Sequence, residues 1–432
     1  MRFVFILILA ALSPNPVSSQ DLYFPPLLGN AWQTLDPSTL GWCPDRIDSL
    51  YGFLHREQTK SFLVLKDGRI VLEKYFGTYT RDSLWSWYSA GKSLKAVLVG
   101  IAQEEGFLDL DDRVSKYLGQ NWTSLPAEKE DKVTIRHQLT MTSGLNELFF
   151  FCVNPNCLVY TADAGTRWVY HNGPYTLTKA VLEKASGQAL NPYMTSKIKL
   201  KTGMGGLWIY TGTNSLYYST ARDMARFGLL ILNRGRWGNT TVIQDTAFFN
   251  QMISSSQTLN PSYGYLWWLN GKSSFIAPTS PLSIPGPIAP DAPADVVVAG
   301  GSQGQLVSIS FSKNMVMIRQ GVSGEEDLVP LDLHNEIWKK IGELNCPSTP
   351  VHQLTRKTIR IHPNPARDKV RISMSDARGM EARIYDLNGR RIKIFQNRED
   401  LDLEGLHEGA YLLEIIKGGS RWFEKIILSP GY

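Results

Sequence analysis

The sequence predicts an α/β (α+β) protein: an antiparallel sheet flanked by helices, interrupted by a helical insert and followed by a small all-β sandwich. Three observations carry this. A strand pair with a tight turn stands early in the chain, and three more strand-like runs stand from residue 295 onward. Between them lie stretches with apolar residues at helical spacing. After Cys346 the chain changes to short strand-like segments separated by Gly, Pro and Asn turns.

Residues 1–19 stand apart as a signal peptide. Arg2, the apolar run Phe3 to Leu12, Pro14 and Pro16, and then Val17-Ser18-Ser19 give a positive start, an apolar core and a small-residue cleavage site. The run is too short to span a bilayer, so the expectation is an exported mature chain with no transmembrane segment. The main domain is expected over 20–345. Asp45 to Gln58 places Ile47, Leu50, Tyr51 and Leu54 on one helical side. Ser61 to Leu65 and Arg69 to Phe76 are strands joined by Lys66-Asp67-Gly68, a hairpin signal. A helix is expected from Ser89, a short one ending near Leu118, and one over Ile135–Leu145 that stops at glycine.

Further helices are expected over Thr176–Ala185 and Ser219–Asn233. Tyr263 to Leu269 reads as aromatic strand material, and the six prolines between Pro278 and Pro293 make a loop. Asp295–Ala299, Leu306–Phe311 and Met315–Gln320 read as strands, and Leu331–Ile341 as the closing helix. A linker is expected over 346–357. Residues 358–432 then carry short strands (Ile359–Ile361, Lys369–Ile372, Ala382–Tyr385, Tyr411–Ile415 and Phe423–Ile427), which is the pattern of a β-sandwich.

Composition narrows the function. The 432 residues are 43% hydrophobic and 20% charged, which allows a large core. The net charge of +5 is spread along the chain with no long basic run, so nothing marks a nucleic-acid footprint. Export favours pairing of the four cysteines. Cys152 and Cys157 bracket a turn-rich segment that a disulfide could close, leaving Cys43 with Cys346 as a clasp across the main domain, although the sequence leaves other pairings open. No His stands at ligand spacing to these cysteines, and neither a metal nor an organic cofactor is expected.

The candidate chemistry starts at Ser89, three residues before Lys92 and followed by Leu94, Val97, Leu98 and Ile101 at helical spacing. One helical turn would put the amine on the face of the hydroxyl. A serine needs a neighbouring base, and a desolvated lysine can be one. The spacing alone is weak, because Ser196–Lys199 and Ser310–Lys313 repeat it. Tyr170-His171-Asn172 supplies a second group. A phenol held near an ammonium loses its proton more readily and could act as a shuttle, and Asn172 could orient both the lysine and a substrate carbonyl. His171 would point away from both if the segment is extended. Ala299-Gly300-Gly301-Ser302 then offers bare backbone for a close approach to substrate, and the Ser302 N–H could pair with the Ser89 N–H as an oxyanion hole.

Ser89-x-x-Lys92, Tyr170-x-Asn172 and a late glycine motif, in that order, resemble the serine β-lactamase and penicillin-binding protein superfamily. The hairpin at Leu65–Arg69, the segment Gly106–Asp112, Leu139–Leu145 and Ser219–Phe227 resemble its class C β-lactamase-related branch, which includes esterases, D-amino-acid peptidases and oligo-amide hydrolases. The resemblance covers roughly residues 45 to 345. It implies a β-lactamase-like sheet with a helical subdomain, acylation at Ser89, proton transfer by Lys92 and Tyr170, and substrate positioning by Asn172, Ala299, Gly300 and Gly301. The family's third motif usually opens with Lys or His, where this chain has Ala299. The missing cation favours a neutral ester, amide or small peptide over a β-lactam or D-alanyl peptide.

Pro363-Asn364-Pro365, Tyr385 to Arg390, Leu406 to Leu412 and Lys425-Ile426-Ile427 resemble a type IX secretion sorting domain. That implies export across the outer membrane of a two-membrane bacterium, with the secretion machinery as partner. In such a host Asn121-Trp122-Thr123 and Asn239-Thr240-Thr241 are chance glycosylation matches. Two rivals remain. Gly300-Gly301-Ser302-Gln303-Gly304, with Asp332 and His334 downstream, fits the α/β-hydrolase elbow but lacks the helix that must follow it. A non-catalytic cell-wall or peptide-binding protein on the same scaffold is the other.

Overall fold

The computed structural model describes residues 22–212, 214–323, 328–346, 359–374 and 377–430. The proposed signal peptide and nearly all of the proposed linker lie outside them. The chain divides into two compact units, Met1–Cys346 and Pro347–Tyr432.

The first unit begins with helix α1 (Pro44–Arg56), then strands β1 (Thr59–Lys66) and β2 (Arg69–Tyr75). Asp67 and Gly68 both take positive φ in the turn between them, and glycine supplies that conformation at low cost. Helix α2 (Gly91–Glu104) follows, then α3 (Asn172–Ser186), the hairpin of β3 (Leu207–Thr211) and β4 (Asn214–Ser219), and α4 (Ala221–Leu232). The unit ends with β5 (Trp268–Leu269), β6 (Val297–Gly301), β7 (Gln305–Ser310), β8 (Met315–Gly321) and α5 (Leu331–Gly342).

Six strands form one antiparallel sheet in the order β2-β1-β8-β7-β6-β5. The first hairpin therefore pairs with the last strand of the unit, Leu63 opposite Ile318. Every residue of β6, β7 and β8 is buried, because helices cover both faces. Side chains alternate across a strand: Gly228 of α4 lies against Val307 and Val316 on one face, while Trp338 of α5 donates to the Ser308 hydroxyl on the other. Residues Gly91–Ala102 of α2 are buried all round, so this is the central helix of the unit. Thr220 and Asp223 cap α4 reciprocally.

Disulfides join Cys43 to Cys346 and Cys152 to Cys157. The first bonds the residue just before α1 to one just after α5, closing the unit where the sheet has already brought its ends together. The second unit holds two antiparallel sheets, of three and four strands, around Val370, Ile372, Ala382, Ile384, Leu413, Ile415 and Ile426.

Several boundaries differ from the sequence reading. The helix expected over Ile135–Leu145 stops at Leu139, because Met141 takes φ 59° and the backbone leaves the helix there. The stretch Tyr263–Leu269 is mostly a tight loop with Leu266 at φ 60°, and only Trp268–Leu269 joins the sheet. The proline-rich loop contains a short ribbon of Ser274–Ile276 with Ser283–Pro285. In the second unit, Arg391–Gln396 and Asp400–Asp402 are additional strands.

Candidate active site

Ser89 lies in a 3₁₀ turn, Tyr88–Ala90, not inside the helix that the spacing suggested; α2 begins two residues later. Tyr88 takes φ 46°, a strained conformation that persists only where the surroundings impose it. Those surroundings are visible. The Trp87 N–H donates to the Tyr217 carbonyl at 2.8 Å, its indole N–H donates to Ser219 Oγ at 2.8 Å, and the Tyr88 N–H donates to Ser86 Oγ at 3.1 Å. The turn thus presents Ser89 where the α2 N-terminus favours negative charge.

Lys92 Nζ and Ser89 Oγ are hydrogen-bonded at 2.8 Å. Lys92 is only 4% exposed. Burial, then the nearby Lys95 cation, holds its pKa well below the usual lysine range. The two rival serine–lysine repeats show no such pair. Ser196 Oγ donates to the Tyr193 carbonyl and Lys199 Nζ to that of Gly206, while the Ser310 hydroxyl donates to Asp295.

Tyr170 is buried, and the Ser89 hydroxyl acts on its phenol, easing its ionisation against the larger effect of burial. Its ring is stacked between Phe150 at 6.3 Å and Trp268 at 6.1 Å, and Lys92 Nζ lies 5.0 Å from its centre. One expectation is corrected here. Burial raises the Tyr170 pKa, so the phenol keeps its proton at neutral pH. Desolvation also works against the Lys92 ammonium that was to draw that proton away. His171 does point away: its Nε2 faces the Asn146 carbonyl at 2.7 Å and its Nδ1 accepts from the Gly173 N–H at 2.9 Å. Both ring nitrogens are occupied, which makes it an N-cap. Asn172 is buried and opens α3, four residues earlier than expected.

The glycine motif forms the end of β6 and the turn after it. Gly301 is needed for its lack of a side chain: a Cβ there would stand 2.5 Å from the Trp87 carbonyl oxygen, 2.7 Å from Ala90 N and 3.0 Å from Ser89 N. The strand end therefore rests on the Ser89 turn, and Ser302 follows directly. Ala299 is fully buried and paired opposite Val307, placing an apolar methyl where a cation was the alternative. Gly300 lies against Trp268 and Val329. The elbow reading fails on structure, because Ser302–Gly304 leads into another antiparallel strand and His334 is buried against Ser308 at 2.9 Å.

Two residues escaped the sequence reading. Arg319 is fully buried on β8, and its guanidinium donates to the carbonyls of Gln303 at 2.9 Å and Gly304 at 2.8 Å, fixing the turn beyond Ser302. An arginine inside Met315-Val-Met-Ile-Arg-Gln was the available signal. Lys95, also fully buried, lies one turn beyond Lys92. The two amines stand 4.3 and 4.4 Å from the centre of the same Tyr175 ring.

Residues 55–318 match the family described as Beta-lactamase, and residues 360–429 match the Secretion system C-terminal sorting domain. Among curated relatives, an uncharacterized protein of Alkalihalophilus pseudofirmus is 25% identical over 48% of this chain and 70% of its own length. Penicillin-binding protein 4* of Bacillus subtilis is 29% identical over 30% of this chain and 31% of its own. A solved structure from Bacillus anthracis, assigned by name as a 6-aminohexanoate-dimer hydrolase, shares the fold at TM-score 0.57 and 18% identity, covering 75% of this chain and 90% of that one. The sorting domain marks the chain for secretion or cell-surface export by the type IX route. With three fifths of its length in that match, the chain belongs to the beta-lactamase family of serine hydrolases.

Proposed function

We propose that the protein is an exported hydrolase that cleaves a neutral ester or amide through an acyl-enzyme on Ser89. The observation that carries this is the 2.8 Å contact between Ser89 Oγ and the buried Lys92 Nζ. Desolvation favours the neutral amine, whose lone pair accepts the Ser89 proton as Oγ attacks the substrate carbonyl. Backbone N–H groups of Ser89 and Ser302 receive the oxyanion. Tyr170, kept protonated by burial, relays a proton to the leaving oxygen or nitrogen as the C–O or C–N bond breaks. Water then attacks the acyl-enzyme along the same relay in reverse, giving the carboxylic acid and restoring Ser89. Asn172 positions the substrate carbonyl beside Lys92.

The methyl of Ala299 supports a neutral substrate over a true β-lactam or D-alanyl peptide. The intact Ser89–Lys92 bond supports turnover over a purely binding role. A signal peptide followed by the sorting domain fits a secreted or surface-held enzyme. A fluorophosphonate probe with mass spectrometry of the Ser89 peptide tests the nucleophile. Turnover of short-chain esters, D-amino-acid amides and a chromogenic cephalosporin tests the substrate. An adduct on Ser89, with ester or amide turnover lost at least 10³-fold in Ser89→Ala, is expected. No adduct, or loss only in Ser302→Ala, would overturn the proposal.

A further inference from the structure

The segment Leu148-Phe149-Phe150-Phe151 ends at the first cysteine of the small disulfide and beside Tyr170. Leu148, Phe149 and Phe151 are 82%, 57% and 67% exposed, an unusual cost for four consecutive apolar residues. Phe150 is turned inward and stacks on the Tyr170 ring, and Phe151 packs edge-on to Phe150 at 4.9 Å. The exposed rings are therefore continuous with the proton relay.

The lip is also held in place. Glu147 pairs with Arg167, and the Asn146 carbonyl meets His171 Nε2. The Leu148 N–H donates to Asn146 Oδ1 at 2.8 Å, the Cys152 N–H donates to the Phe149 carbonyl at 2.8 Å, and Cys152 is tied to Cys157. Both ends thus rest on the segment that carries Tyr170 and Asn172. A pinned apolar surface loses little entropy when it is covered.

We infer that this lip binds an apolar alcohol or amine portion of the substrate. The inference rests on the proposed function, because it takes Tyr170 as the group that hands the proton to the leaving atom. A lip packed on the relay's ring lies on the leaving side of the scissile carbonyl. No cation at Ala299 calls for a charged partner, so affinity there comes from apolar contact.

The test compares hexyl acetate, ethyl acetate and ethyl hexanoate, with proton release followed in a pH-stat. In the full-length protein, four extra methylenes on the alcohol, covered on one side, should raise kcat/KM about tenfold. The triple variant Leu148→Ser, Phe149→Ser, Phe151→Ser changes only exposed side chains. It should flatten that ratio to about twofold or less. A ratio retained in the variant, no preference in the wild type, or a lip-dependent preference for ethyl hexanoate would each overturn the inference. Calorimetric titration of Ser89→Ala with hexyl and ethyl acetate separates the two proposals. Lip-dependent binding without any wild-type turnover sinks the hydrolase reading and with it the leaving-group assignment, whereas turnover indifferent to the lip sinks this inference alone.

Discussion

Replacing Lys95 with methionine removes a buried cation from beside the proposed base and keeps nearly the same volume. The amines of Lys92 and Lys95 each lie within 4.4 Å of the Tyr175 ring centre, so they are no more than about 8.7 Å apart. At an effective dielectric constant of about 20, two like charges at that distance repel by about 2 kcal/mol, which is about 1.4 pH units. Other groups face Lys95 as well. Ser215 of β4 meets its amine at 3.2 Å, Trp208 of β3 lies at 5.1 Å, and Lys179 and Glu183 of α3 act on it in opposite directions. Burial and Lys179 together hold its pKa down at about 7.

Below that pH Lys95 is charged and disfavours the charged form of Lys92, the proposed base. In Lys95→Met, Lys92 should protonate at higher pH, and the acid limb of kcat/KM should move up by about one pH unit. Stability changes too. A lysine whose pKa falls from 10.5 when unfolded to about 7 when folded costs stability at and below neutral pH, and the cost fades as pH rises toward 10.5. The variant should therefore melt at a higher temperature at pH 6 and gain less at pH 10. A pH–rate profile and thermal melts check both. An acid limb that stays in place or moves down would refute the electrostatic coupling.

Two other substitutions probe the frame. Gly301→Ala drives a methyl into the Trp87 carbonyl and the Ala90 amide. A displacement of the β6 end of up to about 1 Å should lower kcat/KM about 100-fold, with a drop of a few degrees in Tm, measured by ester turnover and calorimetry. Cys43→Ser with Cys346→Ser removes a bond across 303 residues, and the chain-entropy relation gives a loss of about 6 kcal/mol at most. Opening Cys152–Cys157, five residues apart, should cost roughly 2 kcal/mol by the same relation. Denaturant melts of the two double variants should rank them in that order.

What could be read from the sequence was set by distance along the chain. Ser89 and Lys92 meet because helical geometry joins residues three apart, and the hairpin at Asp67-Gly68 is equally local. The start of α3 was misplaced for a local reason: Gly173-Pro174 reads as a turn, yet proline is tolerated in a first helical turn, where its missing N–H has no intrahelical partner. The β3–β4 hairpin went unread although Asn214–Ser219 alternates in burial, because neither strand is long or strongly apolar. Lys95 had no signature of its own, and Arg319 had only its place inside an apolar run. Their importance comes from what they face, a shared tyrosine ring in one case and two turn carbonyls in the other.

The candidate site joins three segments, 88–92, 170–172 and 299–302, and only the first is complete in its own stretch of chain. Tyr170 reaches Ser89 because α2 and α3 pack together, and Gly301 reaches it because β6 is held in the sheet through β7 and β8. That sheet in turn pairs β8 with β1, the strand nearest the Cys43 clasp. A change far from Ser89 that loosens the β1–β8 pairing should therefore reach the turn beyond Ser302 through Arg319. Its guanidinium also donates to the Glu57 carbonyl just before β1 and to Thr59 Oγ1 at the start of that strand. The arginine thus ties the turn beyond Ser302 to the first hairpin directly, so loosening the clasped sheet should also disturb the proposed oxyanion site.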